Sequence, residues 1–277
     1  VTKKIRTALV SVYHKDNLEP IIRKLHSLGV KLITTGGTQQ FIERLDIPVT
    51  TVDSITDYPH ILGGRVKTLH PKIFGGILRR DDHEGDIKEV EQFSIPPIED
   101  TVASGGTHND IIEKIDIGGI SLIRAAAKNF NDVLIISSRS QYSFLLDLLE
   151  KQDGTSTAED RKLMAAHAFN TTSHYDTAIF NYFNSDGNID SFKQSILNAR
   201  SLRYGENPHQ SGVFYGKFDE LFDQLNGKEI SYNNLLDIDA AVALMSDFTE
   251  PTCAIWERHG RMLWREIPFL HLEVSSS

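Results

Sequence analysis

Cysteine is almost absent from this chain. Cys253 is the only one in 277 residues, so no intrachain disulfide can form and a four-thiolate metal site is excluded. Thiols kept reduced suit a reducing compartment. Long apolar runs are lacking too: none approaches the roughly 18 residues of a membrane-spanning helix. The start, Val1 to Arg6, passes straight into a strand-like run instead of the apolar core of a signal peptide. Cytoplasmic residence is the resulting expectation. Basic charge is also short. A net charge of −9 argues against a nucleic-acid or membrane-surface partner, since both are held mainly by basic patches. It leaves room for a small anion held by a local cluster of cations. The 11 histidines show no paired spacing that reads as a metal site.

What is present is an ordinary globular composition, 40% apolar and 24% charged, in a chain long enough for one large domain or two smaller ones. The first half alternates short β-rich runs with helical patterns, which predicts a parallel sheet covered by helices. Thr7 to Val12 reads as a buried strand. A helix follows with Asp16 as its cap, Pro20 tolerated near its start, and Leu18, Ile21, Ile22, Leu25 and Leu28 on one face, closed by Gly29. Lys31 to Thr35 and Val49 to Val52 read as strands, with a helix over Gln39 to Leu45 between them. The stretch from Thr56 to Gly76 reads as a long ordered loop. Asp86 to Phe93, Asp110 to Ile115 and Ile120 to Lys128 read as helices, and Glu99 to Asn109 as a polar stretch. Asp132 to Ser137 reads as another strand, followed by helices over Gln141 to Lys151 and Ala158 to about Phe183. The polar run Asn184 to Asn198 sets a boundary, giving domains 1–198 and 199–277.

Three constellations could carry chemistry. A strand runs into Thr35-Gly36-Gly37-Thr38 and then a helix. Glycines let backbone come close to a ligand, and free amides at a helix start face anions; a purely structural turn has the same look. Gly63-Gly64-Arg65-Val66-Lys67-Thr68-Leu69-His70-Pro71 places two cations with period-two spacing, so an extended backbone points them the same way. Arg65 offers a fork of donors and Lys67 a compact charge or a proton; solvated surface cations are the bland alternative. Asp116-Ile117-Gly118-Gly119 precedes a helix on which Arg124 and Lys128 share a face. A capping aspartate with two exposed cations competes there with an anion site. Lys15, just after the first strand, lies where parallel-sheet enzymes hold ligands.

Taken in order, VSVYHK, TTGGT, GGRVKTLHPKIFGGIL, IDIGG and RAAAKN resemble the cyclohydrolase domain of the bifunctional purine-biosynthesis enzymes. Those enzymes formylate aminoimidazole carboxamide ribotide (AICAR) and then close it to inosine monophosphate (IMP). LRYGENPHQ, Leu202 to Gln210, resembles the entry of their second domain, the formyltransferase. The resemblance covers residues 5 to about 253. It implies an α/β fold: a methylglyoxal-synthase-like parallel sheet with flanking helices, then a truncated start of a cytidine-deaminase-like formyltransferase domain. It implies Lys67 and Lys128 as catalytic residues, with Asp116 assisting proton movement. Ser11, Lys15, Thr35, Gly36, Gly37, Thr38, Arg65, Thr68, Gly118 and Gly119 would bind the substrate. Arg203, Tyr204 and His209 would be the remnant of the formyltransferase site. The cyclohydrolase needs no cofactor, whereas the second activity uses 10-formyltetrahydrofolate. The expected partners are a small purine ribotide and a second copy of the chain, with no nucleic acid, membrane or metal.

The chain departs from the family pattern in two places. Between Ile98 and Glu99 the family carries about ten more residues, a buried apolar strand of ordinary length ending in a Leu-Tyr-Pro-Phe motif that gives its active site a tyrosine. Loss of that strand is expected to leave both its neighbours unpaired in the sheet. After Cys253 the family's Lys-His pair and Asn/Cys/Gly stretch give way to AIWERHGRMLWREIPFLHLEVSSS. Formyl transfer is therefore expected to be lost, and His259 is not the family's catalytic histidine. The competing reading is a non-catalytic phosphate-ligand module. A methylglyoxal synthase fits poorly, because RYGENPHQ would have no role in one.

Overall fold

The computed structural model describes residues 1–58, 68–95, 100–104, 117–221, 223–226, 228–249, 252–256, 261–266 and 269–274. Two compact units divide the chain, Val1–Lys193 and Gln194–Ser277, a few residues before the boundary at 198/199.

The first unit begins with β1 (Lys3–Lys4), β2 (Thr7–Val12), α1 (Glu19–Ser27), β3 (Lys31–Thr34), α2 (Gly36–Glu43), β4 (Thr50–Thr51) and α3 (Val52–Thr56). It continues with α4 (Pro71–Leu78), α5 (Glu84–Gln92), β5 (Asp100–Ser104), α6 (Gly118–Lys128), β6 (Leu134–Ile136), α7 (Tyr142–Lys151), β7 (Thr155–Ser156) and α8 (Ala158–Phe183). Five strands form one sheet in the order β4-β3-β2-β5-β6, and every pairing in it is parallel. The order runs outward one way from β2 through β3 and β4, and the other way through β5 and β6. Right-handed crossovers then put α1 on one face and α6 on the other. α7 packs beside α1, and α4 and α8 pack beside α6. The core between these layers includes Leu9, Ile22, Leu25, Ile33, Ile123, Ile135 and Leu145, all inaccessible to solvent. Burying each such side chain contributes about 1.5–3 kcal/mol.

Local chemistry explains where the elements start. Thr157 Oγ1 accepts from Asp160 N (3.1 Å) while Asp160 Oδ2 accepts from Thr157 N (2.8 Å), a reciprocal cap that opens α8 at Ala158. Gly29 ends the α1 turn at φ +72°, a conformation that costs a side-chain-bearing residue about 1–2 kcal/mol. Asp16 does not cap α1. Leu18 holds the cap position, and Asp16 accepts from Arg139 Nη1 at 2.9 Å, tying the turn after β2 to the turn after β6.

Two other expectations need correction. The stretch 56–76 is not one long loop among its described residues. Pro71 opens α4 at a position where its missing N–H costs nothing, and His70 Nδ1 accepts from Lys72 N at 3.1 Å as the cap. His70 is thus a structural histidine. The second correction concerns the centre of the sheet. Asp100–Ser104, read as polar and non-strand, is β5: it pairs with β2 from Ala8↔Asp100 to Val12↔Ser104, and with β6 from Asp100↔Leu134 to Val102↔Ile136. Neither neighbour is left unpaired. The helix expected over Asp110 to Ile115 lies outside the described residues.

Below the sheet, Arg161 of α8 is 1% exposed. Its Nε donates to Phe130 O (2.9 Å), its Nη1 to Ser156 O (2.9 Å) and Ser156 Oγ (3.1 Å), and its Nη2 to Val1 O (3.2 Å). β1 pairs antiparallel with β7 beside it. Lys3 bridges Asp81 (2.8 Å) and Asp132 (2.7 Å). The start of the chain is thereby fastened to α4, α6 and α8.

The second unit contains β8 (Ala199–Leu202), β9 (Gly212–Tyr215), α9 (Phe218–Leu221), β10 (Asp223–Asn226), α10 (Tyr232–Ser246), β11 (Thr252–Trp256), β12 (Arg261–Glu266) and β13 (Phe269–Val274). β8 and β9 form a hairpin. The off-pattern tail folds into an antiparallel β11-β12-β13 meander, with β10 joined to β13 in parallel. Among the described residues no helix is long and apolar enough to cross a membrane.

Replacing Arg161 with Met removes four donated hydrogen bonds at once and leaves buried carbonyls unmatched. The expected loss is about 2–4 kcal/mol of stability, read from the urea midpoint.

Candidate functional site

In an open parallel sheet, ligands bind beyond the C-terminal strand ends where the strand order reverses. Here that point lies between β2 and β5. The end of β2 carries Ser11 and Val12, and beside it β3 ends at Thr34 and hands over to α2. Gly36 and Gly37 are the first two residues of α2, not part of a separate loop. Their amides lie ahead of the first intrahelical acceptor and carry the positive end of the helix dipole. Thr35 holds the cap position in an extended conformation without a side-chain cap bond. Its Oγ1 is instead 2.9 Å from Ser11 Oγ. Thr38, 2% exposed, donates from Oγ1 to Val12 O (3.0 Å) and accepts from Val12 N (3.2 Å). One hydroxyl therefore locks the helix start to the strand end.

Lys15 closes the turn after β2. Its Nζ donates to Val12 O and to Tyr13 O, the latter at 2.9 Å. Among the described residues no carboxylate pairs with it, and burial pushes its ammonium below the ordinary lysine value. A cation held by carbonyls alone is available to an incoming anion. Next to it, His14 Nε2 is buried and makes no hydrogen bond among the described residues. A bond left unmade there costs about 1–3 kcal/mol, which a ligand or water can recover.

Gly37 adds a different kind of information. Among the described residues a Cβ placed on it would meet nothing within 4 Å, and its φ is not in the positive region. Neither packing against the described residues nor backbone conformation demands glycine there. The open space above the helix amides leaves room for a ligand to approach them closely.

The other expected residues divide into three groups. Gly118 and Gly119 open α6, and Ile117 at its cap position supplies no side-chain bond; α6 begins on the strand-end side reached by β5. Thr68 is buried just before α4, where its carbonyl accepts from His70 N at 2.9 Å. Lys128 ends α6 and is exposed, away from the Ser11–Thr35 cluster. Arg65, Lys67 and Asp116 lie outside the described residues. In the second unit, Arg203 and Tyr204 form one assembly: the guanidinium carbon sits 4.8 Å from the ring centroid, and Nη2 donates to Tyr204 Oη at 3.0 Å. His209 is exposed beside an open depression of about 580 Å³ that includes Gly205 and Tyr232. Among the described residues no group of His, Cys, Asp and Glu could hold a metal ion.

Sequence reading missed His14, the double bond of Thr38 to Val12, and Asn129. Asn129 Nδ2 donates to Ile77 O (2.9 Å) and Arg79 O (2.8 Å), stapling the end of α6 to the end of α4. Each of these depends on what another segment places opposite the side chain, and no local spacing signals that.

The AICARFT/IMPCHase bienzyme family matches residues 126–261, and the MGS-like domain matches residues 17–121. The bifunctional purine biosynthesis protein PurH of Bacteroides thetaiotaomicron is 58% identical over 269 residues, taking in 94% of this chain and 53% of its own length. A structure titled "Crystal structure of ForH" superposes with a TM-score of 0.60 at 32% identity, over 65% of this chain and 98% of that one. The chain belongs to the AICARFT/IMPCHase bienzyme family. A second PurH, from Aquifex aeolicus, is 41% identical over 268 residues, with 90% of this chain and 53% of the relative covered. The chain spans about half the length of the curated relatives it matches. The MGS-like match begins two residues after Lys15 and takes in β3, the α2 start and β5, and the bienzyme match takes in the Arg203–His209 segment.

Two substitutions separate ligand approach from scaffold. Gly37→Ala is expected to raise stability by up to about 1 kcal/mol, because alanine is the better helix former, while inorganic phosphate binding weakens as the methyl covers the amides. Thr38→Val is expected to lower stability by about 1–3 kcal/mol, because it strands the buried Val12 amide and leaves the Val12 carbonyl to Lys15 alone. Thermal denaturation and phosphate titration of the two variants give both readings.

Proposed function

We propose that the first unit is an IMP cyclohydrolase, closing formylated AICAR to IMP with loss of water. The observation that carries this reading is the cluster at the reversal point of the sheet: Ser11, Thr35, Lys15 and the Gly36-Gly37 helix start, in a chain of the bienzyme family. Such a cluster suits a ribotide phosphate, with hydroxyls and amides fixing the oxygens and Lys15 supplying charge.

In the reaction the carboxamide nitrogen attacks the formyl carbon. A C–N bond forms, charge collects on the formyl oxygen, and that oxygen leaves as water once it has gained protons. Stabilising the oxyanion and moving those protons are the two tasks left to the protein. Family resemblance gives them to Lys67, Lys128 and Asp116, with Arg65, Thr68, Gly118 and Gly119 binding substrate beside the Ser11 cluster. No cofactor enters this step, and the cytoplasm is the compartment the reaction would occupy. For the second unit the reading is loss of formyl transfer and of its need for 10-formyltetrahydrofolate. Arg203, Tyr204 and His209 remain, but the residues after Cys253 no longer follow the family pattern.

A second reading, a ribotide-binding module without turnover, draws on the centre of the sheet. There DTVAS stands where the family has an apolar strand and its tyrosine. The test is IMP formation from formylated AICAR by the purified chain, with circular dichroism confirming that it is folded. Turnover that disappears in Lys67→Ala without loss of fold is the expected result. Tight IMP binding with no turnover would replace the enzyme by the binding module.

A further inference from the structure

The opposite edge of the five-stranded sheet carries a charged constellation that the cyclohydrolase reading does not use. Among the described residues a cleft of about 420 Å³ lies at the N-terminal strand ends, where Arg6 leads into β2 and Leu134 opens β6. Its size is that of a small-molecule site. β2 is six residues long, so roughly 20 Å separates this cleft from the Ser11–Lys15 cluster beyond the strand C-termini. The two places share no residue.

Four cations line the cleft, Lys3, Lys4, Arg6 and Arg79, against two carboxylates, Asp81 and Asp132. Both carboxylates are engaged. Lys3 Nζ lies 2.8 Å from Asp81 Oδ2 and 2.7 Å from Asp132 Oδ1, and Arg79 Nη2 donates to Asp81 Oδ1 at 2.7 Å. Lys3 and Arg79 offset these two acids, and the lining holds no third carboxylate to offset Lys4 and Arg6. Arg6 has a partner already, yet a guanidinium has five donors and keeps others for a ligand. In a chain of net charge −9, such a local surplus of positive charge attracts anions to this one place. Ile5, Ile87 and Leu134 add apolar wall, which suits an organic body behind an anionic head.

The cations are also held in place. A two-stranded ribbon is marginal by itself, but the one formed by β1 and β7 is anchored. Lys3 pairs with Ser156 and Lys4 with Thr155, and Ile5 N donates to Gly154 O at 2.9 Å. The buried Arg161 fastens both strands through Ser156 and Val1. A cation surface fixed in advance loses less freedom when a ligand arrives.

We infer that this cleft is a second ligand site, taking a small organic phosphate of sugar-phosphate size at the sheet edge opposite the Ser11–Lys15 cluster. Lys4 supplies compact charge, and the arginine forks match phosphate oxygens. The site stands whether or not the first unit closes formylated AICAR.

Ribose 5-phosphate, titrated into the full chain and followed by backbone amide NMR, tests this. It is expected to shift one set of resonances around the cleft, at Lys3, Lys4, Arg6, Asp81 and Asp132. A second set, at Ser11, Lys15 and Gly37, reports the other cluster. Lys4 is exposed, so Lys4→Glu should fold, weaken binding at the first set about tenfold and leave the second set unchanged. Raising the salt should weaken the first set in the wild type as well, a reading that needs no variant. Shifts confined to the second set, or first-set binding indifferent to Lys4→Glu or to salt, would overturn the inference. Shifts confined to the first set would support it and count against the ribotide-phosphate role of the Ser11 cluster instead.

Discussion

A parallel sheet whose order turns around at its centre depends on the strand at the turning point. In this chain that strand is β5, paired to β2 on one side and β6 on the other. Without it, β2 and β6 would each present a buried row of amides and carbonyls with no acceptor or donor, at about 1–3 kcal/mol for every group left unsatisfied. That demand is strong enough to recruit a segment which does not look like a strand. A central parallel strand usually reads as an unbroken apolar run, and DTVAS does not. Backbone pairing, a requirement indifferent to side-chain type, has outweighed composition.

The same fact explains what was legible in the sequence. Thr7 to Val12, Lys31 to Thr34 and the helix from Ala158 to Phe183 could be read directly, because apolar runs, glycine stops and the Thr157–Asp160 pair are local signals. β5 could not be read, because its identity comes from its neighbours. Asp16 failed as a cap because Arg139, distant in sequence, competes for its carboxylate. The HPK start of α4 was readable in principle from a proline at a first helical position, but the surrounding glycines hid it. For the site, the glycine pair and Lys15 were visible as a motif, whereas the lock of Thr38 on Val12 and the orphaned His14 nitrogen appear only once the strands are side by side.

The site obtains its rigidity cheaply. Ser11 and Val12 belong to a strand paired on both sides, and Thr38 ties the α2 start to it through two hydrogen bonds on one hydroxyl. The helix amides are therefore aimed before any anion arrives, which lowers the cost of ordering them at binding. Among the described residues Lys15 rests on main-chain carbonyls with no acid beside it, so an approaching phosphate meets a charge that these residues do not neutralise. Family membership and this geometry point to the same strand ends.

The strand order also dictates a timetable for assembly. β2, β3 and β4 lie close together in sequence, within residues 7–51, and can associate ahead of the later strands. The open side of β2 must then wait for Asp100–Ser104, and β6 later still. Until then the nascent chain displays an unpaired strand edge of the kind that recruits other chains. The partner strand comes late and brings few apolar side chains, so the centre of the sheet closes only across a long stretch of intervening chain.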